Sequence, residues 1–289
     1  MTALKNHILV PIDFSEQSLV ALGQAQSLAR ISRANLTLIF VIDDPLFSMP
    51  FFRSKESAAK SFEKKIKSEL DRLAKTATEI TGSKVETVVT HGKIYEEIQN
   101  TAKKLKCTMI LMGTNGRSGI RKFIGSNALR VVRESKIPVI TIRGKKHRAG
   151  CKHILLPLDL SEETKEKVSK AIEIARLYGS EVDLVTVITT DDEFILNKLK
   201  RQMNQVRDYV VQHDVNCKAE FIDGSDVSDE IVKYAVKNKM DLVMIMTQQE
   251  MNWTSMFIGS EAQQVINDCD VPVLSIRPKE RRYGDVLSY

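Results

Sequence analysis

Along the chain, short runs of aliphatic and β-branched residues alternate with longer stretches whose apolar positions recur every three or four residues. Runs at 7–12, 36–42, 84–90, 109–112 and 139–142 predict strands, apolar on both faces as strands inside a parallel sheet are. Between them the period predicts helices. Ser15 is placed to cap the first, which carries Leu19, Leu22, Ala25, Leu28 and Ala29 at helical spacing. The 57–80 stretch puts Phe62, Ile66, Leu70, Leu73 and Ala77 on one face with lysines outward, and 95–105 and 126–134 supply two more helices. This alternation calls for right-handed crossovers and a parallel sheet covered on both faces. Ligands of such sheets bind beyond the carboxyl ends of the strands, where strand order reverses.

The pattern then starts again. Ile8-Leu9-Val10-Pro11-Ile12-Asp13 returns as Ile154-Leu155-Leu156-Pro157-Leu158-Asp159, and Leu38-Ile39-Phe40-Val41-Ile42 as Leu184-Val185-Thr186-Val187-Ile188, both 146 positions on. Phe123-Ile124-Gly125-Ser126 returns unchanged as Phe257-Ile258-Gly259-Ser260, and 138–143 returns as 272–277, both 134 positions on. Colinear matches of this kind mark a tandem duplication. The second copy is 12 residues shorter, mostly after its second strand, where the first carries 44–52. The expected organisation is one domain over 1–144, a basic glycine-flanked linker, a second domain over 151–278 and a tail over 279–289. The expected fold class is α/β: two tandem, open, doubly wound five-stranded parallel sheets, Rossmann-like.

Candidate chemistry gathers at the strand ends. The first strand closes on Asp13. The fourth closes on Met112 and runs into Gly113-Thr114-Asn115-Gly116-Arg117-Ser118-Gly119, then on to Gly125-Ser126-Asn127 at a helix start. Glycines let backbone N–H groups approach an anion closely, and a helix N-terminus favours phosphate. Ser126 is positioned to cap that helix or to bond a phosphate oxygen. Arg117, Arg121 and Lys122 add positive charge. No Gly-Lys-Ser/Thr follows, so this is not a P-loop. In the second copy neither leading glycine survives: the loop holds Gln249, Glu250 and Trp253 before Gly259-Ser260. Met112 to Gly125 and Met246 to Gly259 are equally spaced, so the loop length reads as kept while its anion-binding backbone is lost.

These residues resemble the universal stress proteins. The resemblance rests on the opening Ile-Leu-Val-Pro-Ile-Asp, the Met-Gly-Thr-Asn-Gly-Arg-Ser-Gly loop, the Gly-Ser helix start and the closing Ile-Pro-Val-Ile-Thr-Ile. It covers both copies and implies an adenine nucleotide α-hydrolase-like fold. ATP-binding members carry Gly-x2-Gly-x9-Gly-Ser/Thr, to which Gly113, Gly116, Gly125 and Ser126 correspond, with eight residues rather than nine before Gly125. The resemblance implies ATP contacts from Pro11, Ile12, Asp13, Val41, Met112, Gly113, Gly116, Arg117, Gly125, Ser126 and Asn127, with Asp13 meeting ribose or a phosphate-bound Mg. Nucleotide is expected in the first copy only. The alternative is an interaction or scaffold module that binds no nucleotide, which the short loop favours. The resemblance also implies antiparallel pairing of last strands across the sheet edge. Segments 138–143 and 272–277 would satisfy it within one chain as a pseudo-dimer, with association into a homodimer beyond that.

Composition narrows this further. Over 289 residues the charge of +6 is mild and does not call for nucleic acid. No stretch has the roughly 18 apolar residues of a membrane span. Four cysteines without a CxxC pair point to a reducing cytoplasm, and Cys151-x-His153 lacks a partner pair at zinc spacing. His91 reads as a strand-end turn, and Lys55, Lys60, Lys64, Lys65 and Lys67 as a solvated helix face. No Ser-His-Asp order or pair of catalytic acids accompanies Asp13, which leaves at most slow ATP hydrolysis. A phosphoacceptor receiver would need an acidic pair and a strand-five lysine. An ATP pyrophosphatase would need Ser-Gly-Gly after strand one, where Asp13-Phe14-Ser15-Glu16 stands.

Overall fold

The computed structural model describes residues 6–43, 56–114, 124–160, 164–247 and 259–278. The first copy runs β1 (His7–Pro11), α1 (Glu16–Ser32), β2 (Asn35–Ile42), α2 (Glu56–Thr81), β3 (Val85–His91), α3 (Ile94–Lys104), β4 (Met109–Gly113), α4 (Ser126–Glu134) and β5 (Val139–Ile142). The second runs β6 (His153–Pro157), α5 (Thr164–Tyr178), β7 (Glu181–Ile188), α6 (Glu193–Val211), β8 (Cys217–Asp223), α7 (Val227–Lys237), β9 (Leu242–Met246), α8 (Ser260–Asp268) and β10 (Val273–Ile276).

The ten strands make one sheet, ordered β3-β2-β1-β4-β5-β10-β9-β6-β7-β8. Within each half all pairs are parallel. The halves meet where β5 and β10 pair antiparallel, with Ile140 opposite Leu274. Each half reverses direction once. The chain moves outward from β1 to β2 and β3, then returns to place β4 on the other side of β1. The crevice that this reversal opens lies at the carboxyl ends of β1 and β4, and its counterpart lies at β6 and β9.

Local chemistry explains the elements that frame the crevice. Ser15 caps α1 by accepting from the Ser18 amide at 3.2 Å, while the Ser18 hydroxyl donates to the Ser15 carbonyl at 3.0 Å. Arg33, in the left-handed region at φ 53°, ends the helix and returns its amide to Ala29. The helix buries Ala21, Leu22, Ala25, Leu28 and Ala29 against the sheet. The linker is laid along α1: Arg148 donates its amide to Gln24 Oε1 at 2.7 Å, and Gln24 Nε2 donates to the Gly150 carbonyl at 3.3 Å.

Two expectations fail for one reason. β3 is not apolar on both faces; Glu86 and His91 are exposed and the rest are only half-buried. Phe62 of α2 is 49% exposed instead of facing the core. Periodicity cannot tell an edge strand from a central one, and β3 is an edge with α2 packed beside it. Its charges suit that place: Lys84 pairs with Glu86 at 2.6 Å, and a charged rim discourages strand addition.

One buried acid sets a pH dependence. Asp183 of β7 is buried and accepts from the Tyr234 hydroxyl at 3.2 Å, with Lys218 and Glu220 on the neighbouring strand. Burial raises its carboxyl above the ordinary value of 3.8. The native state therefore holds this proton more tightly than the unfolded chain does. The stabilisation is present at low pH and is lost as pH rises through the raised value. Asp183→Asn, which keeps an acceptor for Tyr234, is expected to be more stable than the parent at pH 7. Its stability should also vary less between about pH 4 and 7 in urea unfolding; an unchanged profile would contradict this assignment.

Candidate functional site

At the end of β1 the chain turns sharply. The Ile12 amide still bonds the Ile39 carbonyl at 2.8 Å, but Phe14 sits in the left-handed region at φ 61°. That turn leaves Asp13 half-buried at the crevice, its Oδ1 accepting from the Ser15 amide at 3.0 Å and hydroxyl at 2.5 Å. One carboxylate oxygen is thus committed to the turn. Pro11 is half-buried beside it, and Val41, half-buried on β2, pairs with Thr90 of β3.

β4 delivers Met112, which is buried, and Gly113, which pairs with Ile142. A side chain at Gly113 would come within 2.9 Å of Gln17 Cβ, so the glycine lets α1 pack directly on the strand end. Thr114 then accepts from the Gly125 amide at 2.7 Å, which draws the two ends of the loop together. Gly125, not Ser126, is the N-cap of α4, and it offers no side-chain cap. Ser126 is instead the exposed first helical residue. Its capping role fails because the turn needs an extended backbone one position earlier. The first intrahelical bond is made by Leu129 to Gly125, so the amides of Ser126, Asn127 and Ala128 have no carbonyl partner within the helix. No acid lies in this first turn. The result is a positively polarised helix start at the carboxyl end of β4. Gly116 and Arg117, with Arg121 and Lys122, lie outside the described residues.

Among the described residues the second crevice repeats the first's strand-end turn and glycine cap with different charge. Asp159 stands at the end of β6, and Leu160 repeats the left-handed turn at φ 56°. Lys167 of α5, where the first copy has the buried Ala21, is itself buried. Its Nζ lies 4.0 Å from Asp159 Oδ1 and donates to the Pro157 carbonyl at 3.4 Å. Gly259 caps α8 as Gly125 caps α4, but Glu261 occupies the first turn, where Asn127 stands in α4.

Strand pairing corrects the loop comparison. Ile142 faces Gly113, and its repeat equivalent Ile276 faces Met246. Gly113 therefore corresponds to Met246, and the second loop is one residue longer, not equal. Nine residues, 250–258, separate Gln249 from Gly259. The copy that lost its glycines kept the nine-residue spacing, and the copy that kept them lost a residue. Matching methionine to methionine hid this, because only the ladder fixes register.

A second difference lies at the turn. Phe14 and Phe40 stack with ring centroids 5.5 Å apart in the first copy; Leu160 and Thr186 replace them in the second. A cavity of about 330 Å³ lies there between α5 and α6, lined by Leu160, Thr164, Val168, Gln202, Val206 and Tyr209 among others. The Thr164 hydroxyl is buried without a hydrogen-bond partner among the described residues.

Other residues have structural duties. His91 lies 3.4 Å from Glu63 of α2, and the Gly92 amide bonds the Ile42 carbonyl at 3.2 Å, so this is a strand-end turn. Burial pushes the Cys107 and Cys269 thiols up to about 11 and those of Cys151 and Cys217 up to about 12, which keeps them protonated and unreactive at neutral pH. No group of three or more His, Cys, Asp or Glu that could hold a metal occurs among the described residues. Met240, Met244 and Met246 are buried in packing, whereas Trp253 lies outside the described residues. Sequence alone left Gln17, Lys167 and Asn267 unmarked. Lys167 had one signal: a lysine in the repeat where alanine faces the core.

Fold and crevices together define a duplicated open α/β protein with Rossmann-like halves. The chain belongs to the universal stress protein family, whose model matches residues 5–143 and again 150–277. A universal stress protein of Methanocaldococcus jannaschii is 31% identical over 145 residues, covering 50% of this chain and 85% of the relative. Universal stress protein A of Escherichia coli is 29% identical over 137 residues, covering 43% of this chain and 93% of the relative. A crystal structure of a universal stress protein from Archaeoglobus fulgidus superposes with a TM-score of 0.70, covering 94% of this chain and 96% of that one. At 18% identity this last likeness concerns the fold. No described helix is long and apolar enough to cross a membrane.

The cavity yields a direct test. Leu160→Phe restores the first copy's aromatic residue at a backbone angle that copy already tolerates. It is expected to stabilise the chain by about 1 kcal/mol, read as a higher thermal midpoint. A lower midpoint would show that the space cannot take a ring.

Proposed function

We propose that the protein is an ATP-binding universal stress protein, a regulatory stress-response binder that takes nucleotide in its first domain only. In this reading 1–144 is the binding domain, 151–278 a degenerate partner and 279–289 a tail. The two domains form an internal pseudo-dimer through β5 and β10, and a cytoplasmic homodimer of chains is a further level of the same proposal. The observation that carries the reading is the charge contrast between two otherwise matching crevices. One offers an acid-free helix start beside a glycine strand end. The other offers Met246, Glu261 and an Asp159 already met by Lys167.

The residues of the first crevice fit a nucleotide. A side chain at Gly125 would lie 3.0 Å from the Thr114 carbonyl, so bare backbone is kept where phosphate would approach. The amides of Ser126, Asn127 and Ala128 would receive phosphate oxygens. Pro11, Ile12, Val41 and Met112 would flank the base, and Gly113, Gly116 and Arg117 would complete the loop. Mg is commonly held by one or two carboxylates plus phosphate oxygens, and Asp13 Oδ2 is the oxygen that the turn does not use. ATP, when bound, supplies the charge that biases conformation or association. Nothing assembled at Asp13 among the described residues amounts to a base with a charge clamp, so binding with at most slow hydrolysis is the proposed activity. The eight-residue spacing before Gly125 favours a second reading, an interaction module without nucleotide.

Mass spectrometry of ligands released from the purified chain separates the two readings, with Asn127→Glu as the variant. Asn127 is half-buried in the first turn of α4, and glutamate there copies Glu261 and suits the helix dipole, so folding is retained. ATP or ADP is expected to copurify with the parent. The variant should bind at least ten-fold more weakly at an unchanged thermal midpoint, because a like charge now faces the phosphates. A parent that carries no nucleotide and shows no thermal shift with added ATP would install the interaction-module reading instead.

A further inference from the structure

The second repeat reaches into the anion-binding end of the first. The Ile124 amide, one residue ahead of the α4 cap, donates to Asn267 Oδ1 at 3.0 Å. Asn267 lies in the last turn of α8. Its own carbonyl accepts from Arg143 Nη1, and the same guanidinium stands 3.7 Å from the Asp268 carboxylate. The Arg143 carbonyl accepts in turn from Gln17 Nε2 at 2.8 Å, and Gln17 is the residue that Gly113 makes room for.

The two ends of the loop are therefore tied twice. The short tie is the Gly125 amide on the Thr114 carbonyl at 2.7 Å. The long tie leaves the first repeat at Gln17 and Arg143, passes through α8 and returns at Ile124. This second tie matters because Gly125 caps α4 without a side chain. A serine or aspartate cap would orient the helix start by itself; a glycine cap leaves the direction of the first-turn amides to outside contacts. The side chain that would return the tie is of the wrong kind. The residue of the first repeat that corresponds to Asn267 is Arg133, whose side chain has five N–H donors and no acceptor, so it cannot take an amide proton.

We propose that Asn267 is a positioning residue for the first repeat's anion site: the second repeat, without nucleotide of its own, holds the start of α4 in the direction that receives phosphate. The proposal rests on the nucleotide reading above for the identity of the anion, but the tie itself can be measured without any ligand. It gives the second repeat a duty at the first crevice, and it makes the α8 surface a place from which binding can be weakened at a distance.

The test uses the full chain as parent, Asn267→Ala and Asn267→Asp. Amide hydrogen exchange is followed at 124–126, at β1 and along α8, and ATP is titrated by calorimetry. Loss of the acceptor in Asn267→Ala is expected to raise exchange at Ile124 about five-fold and to weaken ATP about five-fold, the scale of one net hydrogen bond. Exchange in β1 and α8 and the thermal midpoint should stay at parent values, which a general loss of packing would not allow. Asn267→Asp keeps an acceptor oxygen and should restore slow exchange at Ile124. Unchanged exchange at 124–126 in the alanine variant overturns the proposal, whatever ATP does. Faster exchange with parent-like ATP affinity overturns it as well, because the tie then positions nothing. Faster exchange in a chain whose parent binds no ATP supports the tie and removes the nucleotide reading alone.

Discussion

The pairing of β5 with β10 is the contact on which both crevices depend. A five-stranded parallel half ends in Val139–Ile142, four residues buried to within 2% of full cover. Left as an edge, that strand would expose a row of unpaired N–H and C=O groups beside apolar side chains, a costly state and a template for aggregation. Antiparallel pairing with Val273–Ile276 satisfies one edge with the other, and the remaining edges, β3 and β8, carry charges. Each face of the joined sheet then carries one hydrophobic cluster that runs through both repeats. That continuity brings α1 against α5 on one face and sets α8 close enough to α4 for Asn267 to reach Ile124.

Upon this common frame the two repeats have diverged by electrostatics more than by backbone. The left-handed turn after the first strand, the strand-end amide bonds to Ile39 and Val185, and the glycine cap of the last helix occur in both. What differs is what an anion would meet. In one repeat it meets first-turn amides with no acid among them. In the other it meets Glu261, a methionine in place of the strand-end glycine, and a carboxylate with a lysine beside it. A buried lysine next to a strand-end acid supplies from within the cation that a ligand would otherwise bring.

Much of this was legible in the chain. The repeat offset at the first two strands, the alternation of runs, Ser15 as a cap and the 126–134 helix all follow from local pattern, because capping and periodicity are local properties. Asp13 and Gly113 at strand ends and Gly125 ahead of a helix were legible as positions, because element boundaries are set locally. Less was legible where the deciding contact is remote. Phe62 reads as core from its spacing, yet an edge strand lies beneath it. Ser126 reads as a cap, yet the preceding glycine takes that place once Thr114 draws its amide in. The matching of Met112 with Met246 followed residue identity, and the ladder to Ile142 and Ile276 moved it by one.

The sequence by itself determined that there are two α/β copies, where the strands and helices of the first fall, and which copy kept glycines after its fourth strand. These depend on neighbours a few residues away. Only the tertiary structure decided that Lys167 sits over Asp159 and that Asn267 reaches across 143 positions to hold Ile124. Such contacts depend on register and on which faces are buried together, and a chain read in order carries neither.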